Sequence, residues 1–410
     1  MRCRCGGRKR HQVKALFLTN EYPPNVYGGA GVHVDYLSRE LAKLMPIEVR
    51  CFGNQDVTTD SLRVQGFEVD TSGFSCPKPL RSVFGAVRRC TDFNTTNIDA
   101  DLVHCHTWYS HFGGILAKLN YGIPLVITVH SLEPLRPWKR EQLGGGYDFT
   151  VWLEKTALEL ADAVIAVSRE TKRDIERLFS IRPERLHVIY NGIDLTEYRK
   201  VTTRAALERY GIDPRTPYVL FVGRITRQKG IIHLVHAIDY MAEGFQIVLC
   251  AGAPDTPEIA QEMEAAVAHA SEKHGDVIWI REMVDKPTVI ELYSQAAVFC
   301  CPSVYEPFGI INLDAMACAT AVVASAVGGI KEVVVEGETG FLVPLELERG
   351  TFQPQDAEAF ARGLAERINE LMANESLRQQ FGRAGRKRAE EKFSWGAIAK
   401  QTQRLYETLL

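Results

Sequence analysis

The 410-residue sequence has no CxxC pair, no low-complexity tract and no repeat of solenoid period. It also has no apolar run approaching the ~18 residues that a membrane span needs, so a membrane-spanning protein is not expected. Net charge is scarce as well, at −3, which gives the chain as a whole no electrostatic pull toward nucleic acid or an anionic membrane surface. The first twelve residues, MRCRCGGRKRHQ, carry five Arg or Lys and lack the apolar core of a secretory signal, and the chain is expected to be cytoplasmic. The ten cysteines are scattered, two are adjacent (Cys300 and Cys301), and Cys105, Cys250 and Cys300 fall inside apolar strand-like runs. That pattern predicts buried free thiols in a reducing compartment, not a disulfide framework. Residues 1–12 read as a disordered basic tail, with a nucleic-acid arm or a Cys3/Cys5 metal site as the weaker alternatives. A sharper hypothesis starts translation at Val13, which the intact mass of natively expressed protein would test.

What the sequence does have is alternation. With 46% hydrophobic and 24% charged residues it is an ordinary globular composition, long enough for two cores. Apolar strand-like runs occur at 14–19, 47–52, 101–106, 125–130, 163–168 and 186–190, with amphipathic stretches such as 31–44, 109–120 and 150–161 between them. A second series runs through 218–224, 245–252, 276–280, 297–301, 321–325 and 340–343. Continuous apolar strands alternating with helices predict parallel sheets covered on both faces. The fold class expected is α/β, with two doubly wound domains facing one another. The first domain spans 13–200, joined by a C-terminal helix over 395–410 that Ser394 caps, and the second spans 201–394, with the polar stretch 194–216 as the connection. Ligands of such sheets collect at the carboxyl ends of the strands, which places the active site in the cleft between the domains.

Several motifs lie at those ends. In VGRITRQKG (222–230), Arg224 and Lys229 follow a strand and suit a diphosphate, while Gly230 lets the chain turn into a helix. In SVYEPFGIINLDAMA (303–317), Glu306 precedes Pro307 and a helix expected from about Phe308. Pro307 then sits near the first helical position. At about 1.5 Å rise per residue, Asp314 would lie up to about 12 Å from Glu306, the separation of a sugar and a ribose in a nucleotide sugar. The helix N-terminus between the two acids would face the phosphates. VYGGAGVHV (26–34) places Gly29 and Gly31 at the start of the first helix, where backbone approaches an anion closely, and Gly328-Gly329 opens a helix in the second half. Val34 occupies the third glycine position of a dinucleotide fingerprint, which disfavours a dehydrogenase. Asp99-Ala100-Asp101 precedes a strand, at the wrong end of the sheet for a metal-binding DxD. His104 and His106 share one strand face, but no further ligand pair has matching spacing, so no metal is expected. His106 and His130 both end strands, where a ligand-facing role and a packed-core role compete evenly.

Together these segments resemble the retaining glycosyltransferases of family four, the bacterial glycogen and starch synthases and the α-maltose-1-phosphate synthases, which have two Rossmann-like domains (the GT-B architecture). The resemblance covers nearly the whole chain from Lys14, through EYPPNVYGGAGVHV, HTWY, TVHSLEPLRPWKREQLGGGY, NGID, VGRITRQKG, LCAGAPDTPEI, SVYEPFGIINLDAMA and VGGIKEVV. It implies an acceptor-side first domain and a nucleotide-sugar-binding second domain. It implies that Arg224 and Lys229 hold the donor diphosphate, that Glu306 binds glucose hydroxyls and that Asp314 binds the ribose. Gly29 and Gly31 would close over the phosphates, Phe308, Gly309 and Ile310 would line the donor site, and His130 would meet the glucose 6-hydroxyl. His106, Trp108 and Glu133 would face the acceptor. The loop 281–284 would meet the base. Family members usually have Glu where this chain has Asp314. The catalytic set implied is Glu306, His130, Arg224 and Lys229, with no cofactor or metal beyond the ADP-glucose or UDP-glucose substrate.

The first reading is glucosyl transfer with retention to an α-1,4-glucan. The alternative acceptor is glucose 1-phosphate, giving maltose 1-phosphate. A mannosyltransferase or a sucrose-phosphate-type enzyme fits HSLEPLRPWK less well, and a glucan phosphorylase would need a Schiff-base lysine for pyridoxal phosphate. A non-catalytic carbohydrate-binding protein would be expected to lose Arg224, Lys229 or Glu306. The partners expected are therefore a nucleotide sugar and a sugar acceptor, with no nucleic acid and no membrane; a homodimer is admitted but not specified.

Overall fold

The computed structural model describes residues 12–410 apart from 253, 349, 350 and 352; the expectations for the basic N-terminal tail and Cys3/Cys5 lie outside the described residues. Two parallel sheets form the frame. The first contains β1 (Ala15–Leu18), β2 (Ile47–Phe52), β3 (Asp56–Thr58), β4 (Leu62–Phe67), β5 (Leu102–His106), β6 (Leu125–Val129), β7 (Ala163–Ala166) and β8 (Leu186–Val188), in the order β3-β4-β2-β1-β5-β6-β7-β8. The second contains β9 (Tyr218–Arg224), β10 (Gln246–Gly252), β11 (Val277–Ile280), β12 (Val298–Cys301), β13 (Ala321–Ser325) and β14 (Gly340–Val343), in the order β11-β10-β9-β12-β13-β14. The central strands are fully buried, as continuous Val, Ile, Leu and Ala demand when helices cover both faces. The architecture is thus α/β with two doubly wound, Rossmann-like domains.

Two strands escape the sequence reading. β3 is exposed along its whole length and β4 alternates polar and apolar residues, so neither carries the continuous apolar run of a buried parallel strand. They form an antiparallel edge pair outside β2.

Strand order locates the functional cleft. The chain leaves β1 for β2 and β4, then returns to β5 on the other side of β1; likewise it leaves β9 for β10 and β11 and returns to β12. The connections at β1/β5 and β9/β12 therefore diverge, opening a crevice beyond the strand ends. Those four strand ends carry the loops 19–28, 107, 225–230 and 302–309. At the opposite end of the first sheet, Asp101 accepts the Lys14 backbone N–H at 2.8 Å and Asp99 lies 3.5 Å from the Lys14 ammonium, so the DxD pair trims a strand start.

The C-terminal helix Trp395–Glu407 lies against Gly29–Ala42, with Trp395 stacked on Tyr36 at 5.8 Å and Ser394 accepting from Ala397 N–H. All eight described cysteines are free, and seven of them are buried. No helix among the described residues is long and apolar enough to cross a membrane.

Candidate active site

The domains enclose a cleft of about 410 Å³ lined from both sheets, within the range of small-molecule sites. On the second domain, β9 ends at Arg224, and the turn after it is tied by Lys229 N–H to Thr226 Oγ1 (3.1 Å). Gly230 follows with φ +60° and starts Ile231–Ala237; a Cβ there would stand 2.1 Å from the Pro302 carbonyl, so the β9 and β12 loops meet only because the residue is glycine. Lys229 Nζ reaches Glu306 Oε2 at 2.6 Å, and Ser303 Oγ donates to the same oxygen at 3.3 Å. The Gly329 N–H donates to the Glu306 carbonyl at 2.9 Å, fixing the turn that presents the side chain. Arg224 Nη1 donates to Asp255 Oδ1 (2.9 Å) and to Tyr27 Oη (2.7 Å) and lies over the Tyr27 ring at 4.2 Å. Tyr27 belongs to the first domain, so this contact crosses the cleft.

The helix after Glu306 begins later than expected. It spans Ile310–Ala317, because Gly309 adopts φ +99° and breaks the helical path. Pro307 therefore lies outside the first turn, and Glu306 and Asp314 are not joined by eight helical residues. Both carboxylates still line the cleft, as do Phe308, Gly309 and Ile310. Asp314 is 8% exposed, and burial raises its pKa to about 8 against the opposing influence of Lys286 and Lys229. Glu282, Met283 and Val284 also line the cleft.

In the first domain the two glycines separate. Gly29 opens the helix Gly29–Ala42 and faces Ile310 across the cleft, where a Cβ would meet Ile310 Cδ1 at 3.5 Å. Gly31 is buried away from the cleft; a Cβ there would stand 2.7 Å from Glu21 Oε2, which accepts the Tyr27 and Gly28 N–H groups at 2.8 Å. Its smallness serves that carboxylate, which corrects the expectation that it closes on phosphate.

The histidines also divide. His130 lines the cleft, whereas His106 is fully buried beneath it, with Nδ1 3.0 Å from His130 Nε2. His106 thus positions His130 and does not face an acceptor. His33 joins them edge-on to His130 at 4.7 Å between centroids, its Nδ1 donating to Asn191 Oδ1 at 2.7 Å. Burial holds His33 down to about pKa 4 and lowers His106 and His130 well below the usual imidazole range, so the stack is neutral near pH 7. The ligand nitrogens of these three rings lie within 4.8 Å of one another, which corrects the argument that His106 has no neighbouring ligands. Spacing along one strand could not reveal it, since the rings come from a helix and two strand ends. The three would suit a transition metal by ligand type, although His106 Nδ1 and His33 Nδ1 are already engaged. His104 packs against His106 at 4.2 Å between ring centroids, and its nitrogens are engaged by Tyr406 Oη (2.6 Å) and Thr128 Oγ1 (2.8 Å).

Trp108 borders the cleft and stacks on Tyr109 at 4.0 Å. Thr107 before it has φ +65° and donates to Asn20 Oδ1 at 2.8 Å, a strained corner at the end of β5. Glu133 lines the cleft but is 1% exposed, and its oxygens accept from Arg136 Nη1 (3.2 Å) and Thr150 Oγ1 (3.1 Å). Below it Glu154, pushed well above the usual carboxylate range by burial and by Glu133, accepts the Glu133 N–H at 2.8 Å. Tyr27, Asp255, Arg136 and Lys139 were missed by the sequence reading; Arg136 and Lys139 stand in its own HSLEPLRPWK segment as two cations three residues apart.

The comparisons with known proteins agree with this geometry. Residues 27–197 match Glycosyltransferase Family 4, and residues 203–388 match Glycosyl transferases group 1. The chain is 47% identical over 402 residues to the alpha-maltose-1-phosphate synthase of Mycolicibacterium smegmatis, covering 96% of this chain and 99% of that one. To the enzyme of the same name from Mycobacterium tuberculosis it is 45% identical, with the same coverage. Among solved structures it is similar to sucrose-phosphate synthase from Thermosynechococcus elongatus (TM-score 0.78, 26% identity, 97% and 99% coverage). In fold alone it is similar to the catalytic domain of starch synthase IV from Arabidopsis thaliana (TM-score 0.72, 18% identity, 97% and 99% coverage). With two facing Rossmann-like domains, a cleft at both switch points and these matches along its length, the chain belongs to glycosyltransferase family 4 and is a hexosyltransferase of GT-B architecture.

Proposed function

We propose that the protein transfers glucose from ADP-glucose or UDP-glucose, with retention of the α configuration, to the 4-hydroxyl of glucose 1-phosphate, forming α-maltose 1-phosphate. One observation carries this order of acceptors: 47% identity spanning 99% of a relative that bears that activity in its name. The α-glucan acceptor, first in the sequence reading, becomes the second reading.

The cleft supports the chemistry. Arg224 and Lys229 stand where a diphosphate would replace Asp255 and Glu306 as their partner, and they stabilise charge developing on the leaving group. Glu306, released from Lys229, accepts from glucose hydroxyls. His130, neutral through burial and its imidazole neighbours, bonds a sugar hydroxyl without adding charge. Gly29 lets Ile310 and the donor approach the first domain. In the reaction the bond between glucose C1 and the departing phosphate oxygen breaks as C1 bonds to the acceptor O4 on the same face. The O4 proton passes to the departing phosphate, so this scheme calls for no protein base and no resident cofactor.

The test is a nucleotide-release assay crossing ADP-glucose and UDP-glucose with glycogen and glucose 1-phosphate, with the product identified by mass. Release that requires glucose 1-phosphate and yields a disaccharide phosphate supports the proposal; release with glycogen alone overturns it in favour of the glucan reading.

A further inference from the structure

We infer that Arg136 and Lys139, on the segment that follows β6, form the subsite for the acceptor's phosphate and thereby select a sugar phosphate over a neutral sugar. The inference rests on the reading just given and assigns the residues that would enforce it.

Every other cation of the cleft is balanced. Arg224 is paired with Asp255 and Lys229 with Glu306. Arg136 and Lys139 are not balanced to the same degree. Glu133 meets only one terminal nitrogen of Arg136, and Arg136 Nε is buried with no hydrogen-bond partner. Lys139 Nζ donates to the neutral amide of Gln142 at 2.8 Å, and among the described residues no carboxylate pairs with it. Burial is the largest influence on Lys139, followed by repulsion from Arg136; Glu133 and Asp255 attract it without forming a salt bridge, and Arg224 repels it. Arg136 and Lys139, both drawn partly out of solvent, have between them one ion pair, Arg136 with Glu133, and leave an excess positive charge facing the cleft, which an incoming anion offsets.

Position identifies which anion. Arg136 and Lys139 line the cleft from the first domain, as Trp108 and Tyr109 do, and Arg136 is near enough to Tyr109 to act on its hydroxyl, whereas the cations that follow β9 come from the second domain. An aromatic pair in the same wall as a guanidinium and an ammonium suits a hexose that carries a phosphate. A neutral glucan end would leave both cations dehydrated and unanswered, so the same groups that favour the sugar phosphate disfavour the glucan. Glu133 acts as a positioning residue: it holds the Arg136 fork and is itself fixed by Thr150.

The experiment compares the wild type, Lys139→Gln and Lys139→Arg in steady-state kinetics with each substrate varied in turn, and titrates inorganic phosphate as an inhibitor. The neutral variant is expected to raise KM for glucose 1-phosphate about tenfold more than KM for the nucleotide sugar, since it loses a charge-assisted contact. Competition by inorganic phosphate should weaken in parallel, and Lys139→Arg should restore both. A rise confined to the donor KM, or unchanged inhibition by phosphate, overturns the subsite. Wild-type protein that does not turn over glucose 1-phosphate overturns the preceding reading instead, and phosphate binding to the wild type and to Lys139→Gln still decides the subsite. Arg136→Lys, which keeps a charge beside buried Glu133, provides the second variant; a glucose 1-phosphate KM equal to that of the wild type counts against the guanidinium contact.

Discussion

The two walls of the cleft are built differently. The donor wall comes from two short segments, 222–230 and 303–314, each running from a strand into a helix, and its cations are already paired with carboxylates. The proposed acceptor wall gathers His33, Trp108 and the segment that carries His130, Arg136 and Lys139 from three separate places, with neutral rings and under-compensated cations together. On the proposed function, the wall made of contiguous motifs is the one for a ligand part that varies little, the diphosphate. A wall assembled from several loops can change one residue at a time, and acceptor choice can change with it.

The largest effect should fall on the donor wall. Arg224→Ala removes a guanidinium from the diphosphate position, a charge-assisted contact of about 1.5–3 kcal/mol before transition-state effects, so kcat/KM should fall by about 10- to 100-fold or more. Near-normal turnover by a folded variant would break the contrast between the walls. Next in size is a pH effect on the acceptor wall. Burial lowers the pKa of Lys139 to about 8; Arg136 and Arg224 lower it too, while Glu133 and Asp255 oppose them. Lys139 is charged below that value and neutral above it, so kcat/KM for glucose 1-phosphate should decline as pH rises through about 8. The Lys139→Gln profile should lack this step, and an identical profile in both would remove Lys139 from the wall's chemistry.

Asp314 sharpens the donor side further. Its pKa rises from 3.8 unfolded to about 8 folded, so the folded state binds the extra proton between those values. Stability linked to this group is present at low pH and lost as pH rises toward 8. Asp314→Asn should flatten that decline, seen as a Tm gap from the wild type that changes between pH 5 and 8; parallel pH dependences would show that the carboxyl is not held neutral. The smallest effect is expected for Asp314→Glu, which restores the residue usual in the family and should keep donor KM within about threefold, well under the tenfold that 1.4 kcal/mol represents. A folded but inactive variant would mean that the ribose role is misplaced.

Legibility in the sequence followed locality. Arg224, Lys229 and Glu306 could be read because each sits just after a strand end that hydrophobic runs and glycines mark, and Asp314 because it lies on the helix that follows. The helix start at Ile310 was misjudged by two residues, because a proline suggested a first turn while the positive φ of Gly309 decided it. β3 and β4 were missed because an exposed edge pair lacks a buried strand's pattern. Gly31 read as a phosphate contact until Glu21, ten residues earlier in sequence, proved to occupy the space.

From its residue order alone, this chain specified two α/β domains, their strand ends and the two cations Arg224 and Lys229 at the cleft, because periodicity and turn chemistry act over a few neighbours. Only the folded chain decided which histidine reaches the cleft, which carboxylate is spent on Arg136 and which cations remain under-compensated. Those outcomes depend on desolvation and on partners far apart in sequence, as with Tyr27 and Arg224, 197 residues apart, and no local pattern encodes them.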